Sequence, residues 1–285
     1  MARAVTTIPV TRLALRKGTL LVSAAALLAS LGAGCASMVN YLDPDSPSRL
    51  GAYAVEPARD GVLRVVTFNV EHGRRVDRAI AGLTTHASLR SADLVLLQEM
   101  DGDGADRMAR ALGMNLIYFP GSHDPKSRKD MGNAILSPWP LDEPRKVLLP
   151  HPSRIIHRAR SAVGARVTVE GLAIRVYSVH LGSPVGVSGG SRREQAEAVL
   201  KDAADAVEPT IIGGDFNSSG LGKLFVEKGY FWATKSIGKT VKKILLSYSY
   251  DHVFLRGVPG NVTAGVAREV NDASDHRPVW TVVVP

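Results

Sequence analysis

The sequence predicts an α/β protein with mixed sheets, and three observations predict it. Apolar runs of strand length alternate with helical periodicities through the first two thirds of the 285 residues, and strands dominate afterwards. The clearest helix, 195–207, leads directly into a strand at 210–216, as a crossover connection requires. The composition, 45% hydrophobic and 22% charged, is that of a globular chain with one sizeable core, and no internal repeat interrupts it.

The N-terminus is set apart from this domain. Arg3, Arg12, Arg16 and Lys17 precede an apolar segment from Leu20 to Leu31 that is too short to span a bilayer, so residues 1–34 read as a secretion signal. Cys35, the only cysteine, follows in Leu31-Gly32-Ala33-Gly34-Cys35, similar to a bacterial lipobox, with the leucine one position further upstream than that pattern prefers. The expectation is an exported protein, in the cell envelope or secreted, attached to a membrane through acylated Cys35. Ordinary cleavage near Ala36 and an uncleaved anchor are the alternatives. A single cysteine excludes an internal disulfide, so the core alone holds the fold. Beyond residue 34, 31 Lys and Arg face 27 Asp and Glu, a net charge of +4 that is too small to name nucleic acid by itself. Residues 35–61 are rich in Pro, Ser, Asp and Ala without periodicity and are expected to form a tether, leaving 62–285 as the domain.

Val62 to Val70 is a β-branched strand ending at Asn69, followed by a weak helix from Arg74 to Ser88 with Ala79, Ile80 and Leu83 as its stripe. Ala92 to Glu99 is a continuous apolar strand of the kind buried on both faces, closed by Glu99. A short helix, 103–112, and a strand, 115–120, precede a loop from Gly121 to Met131 that either contacts substrate or is mobile. Gly132 to Ser137 is a strand, and 159–169 with 172–181 form a hairpin turning at Glu170-Gly171 and ending near His180. Ser191-Arg192-Arg193-Glu194 reads as a capping box opening the helix 195–207. The stretch from Leu221 to Ser247 holds Lys223, Lys228, Lys235, Lys239, Lys242 and Lys243 with Phe231 and Trp232, which suits a polyanion contact or a solvated face equally. Strands at 250–255, 262–267 and 279–284 complete the domain.

Several of these strands end on polar residues suited to phosphate ester hydrolysis with a divalent cation. Gly213-Gly214-Asp215-Phe216-Asn217 presents a carboxylate and a carboxamide two residues apart, on the same side of a strand's exit. Asn69, Glu99 and Asp275 supply the oxygen donors that Mg²⁺ or Mn²⁺ prefers, and no Cys or His cluster has zinc spacing. His276 is the natural base, with Asp251 against its other ring nitrogen. His180 and Asn217 are candidate donors to phosphoryl oxygens, and Asp215 either orients the water or protonates the leaving group.

In order, Thr67-Phe68-Asn69-Val70, Gln98-Glu99, Gly132 to Ser137, Ser178-Val179-His180-Leu181, Gly213 to Asn217, Tyr250-Asp251-His252 and Ser274-Asp275-His276-Arg277-Pro278 resemble the motifs of the endonuclease/exonuclease/phosphatase superfamily. The resemblance spans 62–284 and implies a DNase I-like four-layer α/β sandwich, two packed mixed β-sheets flanked by helices. It also implies metal ligands at Asn69, Glu99 and Asp275, the pair Asp251 and His276, phosphate contacts from His180 and Asn217, and a substrate-binding arginine at Arg160.

The expected function is therefore an exported, metal-dependent phosphodiester hydrolase, acting as a monomer, with a nuclease favoured. A sphingomyelinase or phospholipase C-like enzyme acting on a phospholipid headgroup, and a non-catalytic binding protein on the same fold, are the alternatives.

Overall fold

The structure, a computed structural model, describes residues 38–285 apart from 46, 47, 56, 58 and 243–246, so the expected secretion signal and Cys35 lie outside the described residues. Among the described residues no helix is long and apolar enough to cross a membrane.

One sheet contains β1 (Val39–Asn40), β2 (Arg49–Gly51), β3 (Leu63–Asn69), β4 (Leu94–Met100), β5 (Asn115–Asp124), β6 (Lys129–Ser137), β15 (Asn261–Val266) and β16 (Val279–Val284). Its order is β1-β5-β6-β4-β3-β16-β15, with β2 also on β5. The other contains β7 (Leu141–Leu148), β8 (Ser161–Val169), β9 (Leu172–His180), β10 (Thr210–Asp215), β11 (Phe231–Trp232) and β14 (Asp251–Arg256), in the order β11-β14-β10-β9-β8-β7. A small third ribbon pairs β12 (Val241–Lys242) with β13 (Ser247–Tyr248). Both large sheets are mixed: β3 and β4 run parallel, as do β9 and β10, while β14 and β6 run against their neighbours.

The layers follow from residues that alternate between the two faces of a strand. Val65, Leu94 and Leu96 of the first sheet meet Val163, Val176 and Ile211 of the second in a shared apolar core. Val66, Phe68, Val95 and Leu97 face the other way, onto the helices Val76–Thr85 and Gly102–Leu112. On the far side, Tyr177, Val179, Ile212 and Phe254 cover the helices Gly189–Asp202 and Gly222–Glu227. Helix, sheet, sheet and helix give the expected four-layer sandwich, and the apolar runs at 94–97 and 210–212 are continuous because both faces of their strands are buried.

Several local expectations are corrected. Two pieces of the expected tether 35–61 join the domain: β1 and β2 pair with β5 and extend the first sheet's edge. The expected loop 121–131 is mostly strand, β5 continuing to Asp124 and β6 starting at Lys129. β7 went unread because it is an edge strand with exposed residues, a proline and an irregular register between Asp142 and Arg145. The helix expected at 195–207 runs from Gly189 to Asp202, and its cap is Ser188, whose hydroxyl accepts the Ser191 N–H, not Ser191.

β10 lies close to β9. A Cβ at Gly214, where φ is +154°, would come 1.9 Å from the Val179 carbonyl oxygen of β9. Gly214→Ala is expected to cost more than about 4 kcal/mol, abolishing a cooperative urea transition. A variant that unfolds within about 1 kcal/mol of the parent would refute the tight pairing of these strands.

Candidate active site

The site lies where strand ends of the two sheets converge. Cross-strand register places Asp215 of β10 between His180 of β9 and Asp251 of β14, so three adjacent strand ends present three titratable groups in a row. The first sheet contributes Asn69 at the end of β3 and Glu99 near the end of β4. The segment before β16 contributes Asp275 and His276, held by the Ser274 hydroxyl, which donates to the Asn69 carbonyl at 2.7 Å and accepts the His276 N–H at 3.0 Å.

Asp215 is the hub and is 1% exposed. Its Oδ1 accepts the Asn217 backbone N–H at 2.8 Å. Its Oδ2 accepts Asn69 Nδ2 at 3.0 Å, which joins the two sheets, and Asn217 Nδ2 at 3.3 Å. His180 Nε2 and His276 Nε2 stand 3.5 and 3.7 Å from the same oxygen. Burial pushes the Asp215 carboxyl well above the usual range; His276 opposes this, and Asp251 and Glu99 add to it.

The two histidines are tuned in opposite directions. His276 Nδ1 donates to both Asp251 oxygens at 3.0 Å. Burial pulls its imidazolium down, but the charges of Asp251 and Asp215 and the Asp251 hydrogen bond outweigh this and push it up to about 10. Burial lowers His180 well below the ordinary histidine value, helped by the positive charges of Arg160 and His276. Because Arg160 Nη1 donates to His180 Nδ1 at 3.1 Å, the neutral ring carries its proton on Nε2, facing Asp215 and Glu99.

Glu99 sits at a bulge, where the pairing of β4 with β6 shifts register between Leu97 and Met100, and its own φ is +57°. The left-handed backbone turns its carboxylate toward the site, 3.3 Å from His72 Nε2 and 3.7 Å from His180 Nε2. Burial raises its pKa, but Arg160, His72, His276 and Arg158 together hold it below the ordinary value.

Ligating atoms of Asp215, Asp251 and His276 lie within 4.8 Å of one another. Their atoms are already engaged in the network above, which suits proton sharing. The Asp275 carboxylate, in contrast, has no hydrogen-bond partner among the described residues, and Asn69 Oδ1 accepts only the Glu71 N–H at 3.1 Å. Like Glu99 they offer oxygen donors, the class a hard divalent cation selects.

The structure brings Asn69, Glu99, Arg160, His180, Asp215, Asn217, Asp251 and His276 into one network, with Asp275 adjacent. One assignment changes: both Asn217 amide hydrogens are engaged, donated to the Leu181 carbonyl at 3.1 Å and to Asp215, so this side chain holds Asp215 instead of donating to a phosphoryl oxygen. The sequence reading missed His72, Arg158 and Thr240, whose hydroxyl accepts the Asp251 N–H at 3.2 Å. Only His72 had a local signal, the turn Glu71-His72-Gly73 directly beyond Asn69 and Val70, where all three residues adopt positive φ.

With a folded-state value above its unfolded one, His276 contributes stability that is complete below about pH 6.5. That contribution is lost as pH rises through about 10. Urea unfolding of the metal-free protein between pH 7 and 10 is therefore expected to show stability falling with pH relative to His276→Gln; parallel profiles would refute the raised value.

A family model described as Endonuclease/Exonuclease/phosphatase family matches residues 66–276. No curated protein gives a significant match. Among solved structures, an endonuclease/exonuclease/phosphatase family protein from Leptotrichia buccalis superposes with a TM-score of 0.62 at 17% identity, over 78% of this chain and 99% of that one. A family protein from Bacteroides thetaiotaomicron gives 0.61 at 19%, over 79% and 98%. A humanized D. rerio TDP2 carrying 14 mutations gives 0.59 at 20%, over 78% and 99%. At these identities the likeness is one of fold.

Proposed function

The chain belongs to the endonuclease/exonuclease/phosphatase family, and from that premise we propose that it is an exported, divalent-metal-dependent phosphodiester hydrolase whose substrate is nucleic acid. The observation that carries this reading is the buried Asp215 carboxylate, held between a neutral His180 and the Asp251–His276 pair. Few structural networks need one histidine kept neutral and another kept charged within reach of one oxygen.

Asn69, Glu99 and Asp275 would hold Mg²⁺ or Mn²⁺, which supplies charge to polarise the phosphoryl group and steady the leaving oxygen. His180 Nε2–H donates to a phosphoryl oxygen as negative charge builds there, and Arg160 both fixes that tautomer and adds positive charge. Asp215, its carboxyl raised by burial, orients the attacking water and accepts its proton, and the charged His276, held by Asp251, donates a proton to the departing oxygen. The modest positive charge of the chain beyond residue 34 supports the choice of a nucleic acid as substrate. So do Lys126, Arg128 and Arg154, exposed cations on the β5–β6 turn and on the segment leading to Arg160. Membrane attachment through Cys35 is the further expectation for a protein working outside the cytoplasm.

Hydrolysis of plasmid DNA, sphingomyelin and bis-p-nitrophenyl phosphate with Mg²⁺ or EDTA tests the reading. Metal-dependent DNA cleavage is expected, with kcat for His276→Ala lowered by about 10²- to 10⁴-fold. Cleavage of sphingomyelin alone would move the assignment to a lipid phosphodiesterase, and silence from a folded protein that binds no metal would favour a binding role.

In Glu99→Ala the Mg²⁺ concentration for half-maximal rate is expected to rise by about tenfold or more. An unchanged metal titration would remove Glu99 from the ligand set.

A further inference from the structure

The family match begins at residue 66, yet the stretch 38–41 holds, from outside it, the segment that leads into Arg160. We infer that this N-terminal strap is a working part of the site, with Asn40 as the positioning residue for Arg160. The inference rests on the role proposed above for Arg160 and His180.

β1 joins the sheet edge through Val39 and Asn40, opposite His123 and Ser122 of β5. The Tyr41 N–H continues the pairing to the Gly121 carbonyl at 3.1 Å, and the Tyr41 hydroxyl donates to Asp130 at 2.9 Å. The strap is thus anchored along its β5 side. Its other side clamps the segment that enters β8. Asn40 Nδ2 donates to the His157 carbonyl at 2.7 Å, and Asn40 Oδ1 accepts the Ala159 N–H at 2.8 Å. A carboxamide offers one donor and one acceptor with the spacing of a peptide group. Here it contacts alternate residues of an extended segment as a neighbouring strand would.

The next residue is Arg160. Its carbonyl accepts the Leu149 N–H at 3.1 Å, and its guanidinium donates to His180 Nδ1. Arg158, between the two residues Asn40 holds, is buried, and its Nη2 lies 3.8 Å from Met38 Sδ. His157 carries φ of +52°, so the segment turns sharply just before Asn40 catches it. Among the described residues only Asn40 bonds the His157 carbonyl and the Ala159 N–H, so without the strap the backbone placing Arg160 keeps the Ser153 N–H on the Arg158 carbonyl and the Leu149 N–H on the Arg160 carbonyl but loses both bonds to Asn40. A displacement of about 1 Å in a group that orients a catalytic donor costs about 10²-fold in rate.

A double-mutant cycle on the full mature chain tests this. Asn40→Ala is expected to lower kcat about tenfold with KM nearly unchanged. Arg160→Ala is expected to lower it further, and the double variant to match Arg160→Ala alone, because both changes break one arrangement. Asn40→Asp, which keeps the acceptor for Ala159 and loses the donor to His157, is expected to fall between the parent and Asn40→Ala and keeps the test open should the alanine variant not fold. Losses that multiply in the double variant, or parental kcat in Asn40→Ala and Asn40→Asp, would overturn the inference. A second reading uses no substrate. At fixed pH without metal, the ¹⁵N shift of His180 Nδ1 in the Asn40 variants is expected to move toward that of Arg160→Ala. An unmoved shift would refute the positioning role, whereas a moved shift in a chain that hydrolyses nothing would spare it and refute the proposed enzymatic function instead.

Discussion

A buried carboxylate sets the terms for the rest of this structure. Asp215 lies at the meeting of two sheets with almost no solvent contact, and such a group is tolerated only when donors surround it. One donor, Asn69, comes from the opposite sheet, and another, Asn217, from the turn that follows β10. The sandwich must therefore close with β3 and β10 ending at the same height. A one-residue slip of β10 would turn Asp215 to the opposite face and send apolar neighbours into the site, so the core and the chemistry demand the same register.

Beneath Asp215 a polar column ties the sheets together. Thr67, Gln98 and Ser178 are fully buried in the sandwich, and Gln98 Nε2 donates to Ser178 Oγ at 3.0 Å while Ser178 Oγ donates to the Leu97 carbonyl at 2.9 Å. Satisfied networks of this kind fix two layers against each other more narrowly than apolar packing alone. Above it, the left-handed residues Glu99 and Asn217 cost conformational energy, on the order of 1–3 kcal/mol each. The rigid column beneath them makes that strain tolerable, and the strain aims their side chains.

The outer parts of the site come from connections. The Ser274 hydroxyl couples the His276 segment to Asn69, and the β12–β13 ribbon touches His276 through Val241. Residues 38–41 bridge β5 to the entry of β8. Each uses backbone or short side-chain hydrogen bonds to hold the tip groups in place.

The sequence by itself determined the class of fold and most of the site. Apolar runs of strand length report burial directly, and the polar residues that stop them, from Asn69 to His276, mark the rim because a strand end is where a buried run meets solvent. It could not determine which of those polar groups touch. Asn69 and Asp215 are 146 positions apart, and their hydrogen bond exists only because two sheets pack in one register. The engagement of Asn217, the bulge at Glu99 and the opposite tuning of His180 and His276 depend in the same way on neighbours supplied by other strands. The pairing of β1 and β2 with β5 escaped notice because these strands are two and three residues long, too short for any periodicity, and are specified by the edge they join. Local pattern encodes what is buried; only the tertiary structure decides which buried groups share a proton, since that depends on distances across the sandwich that no short stretch of sequence contains.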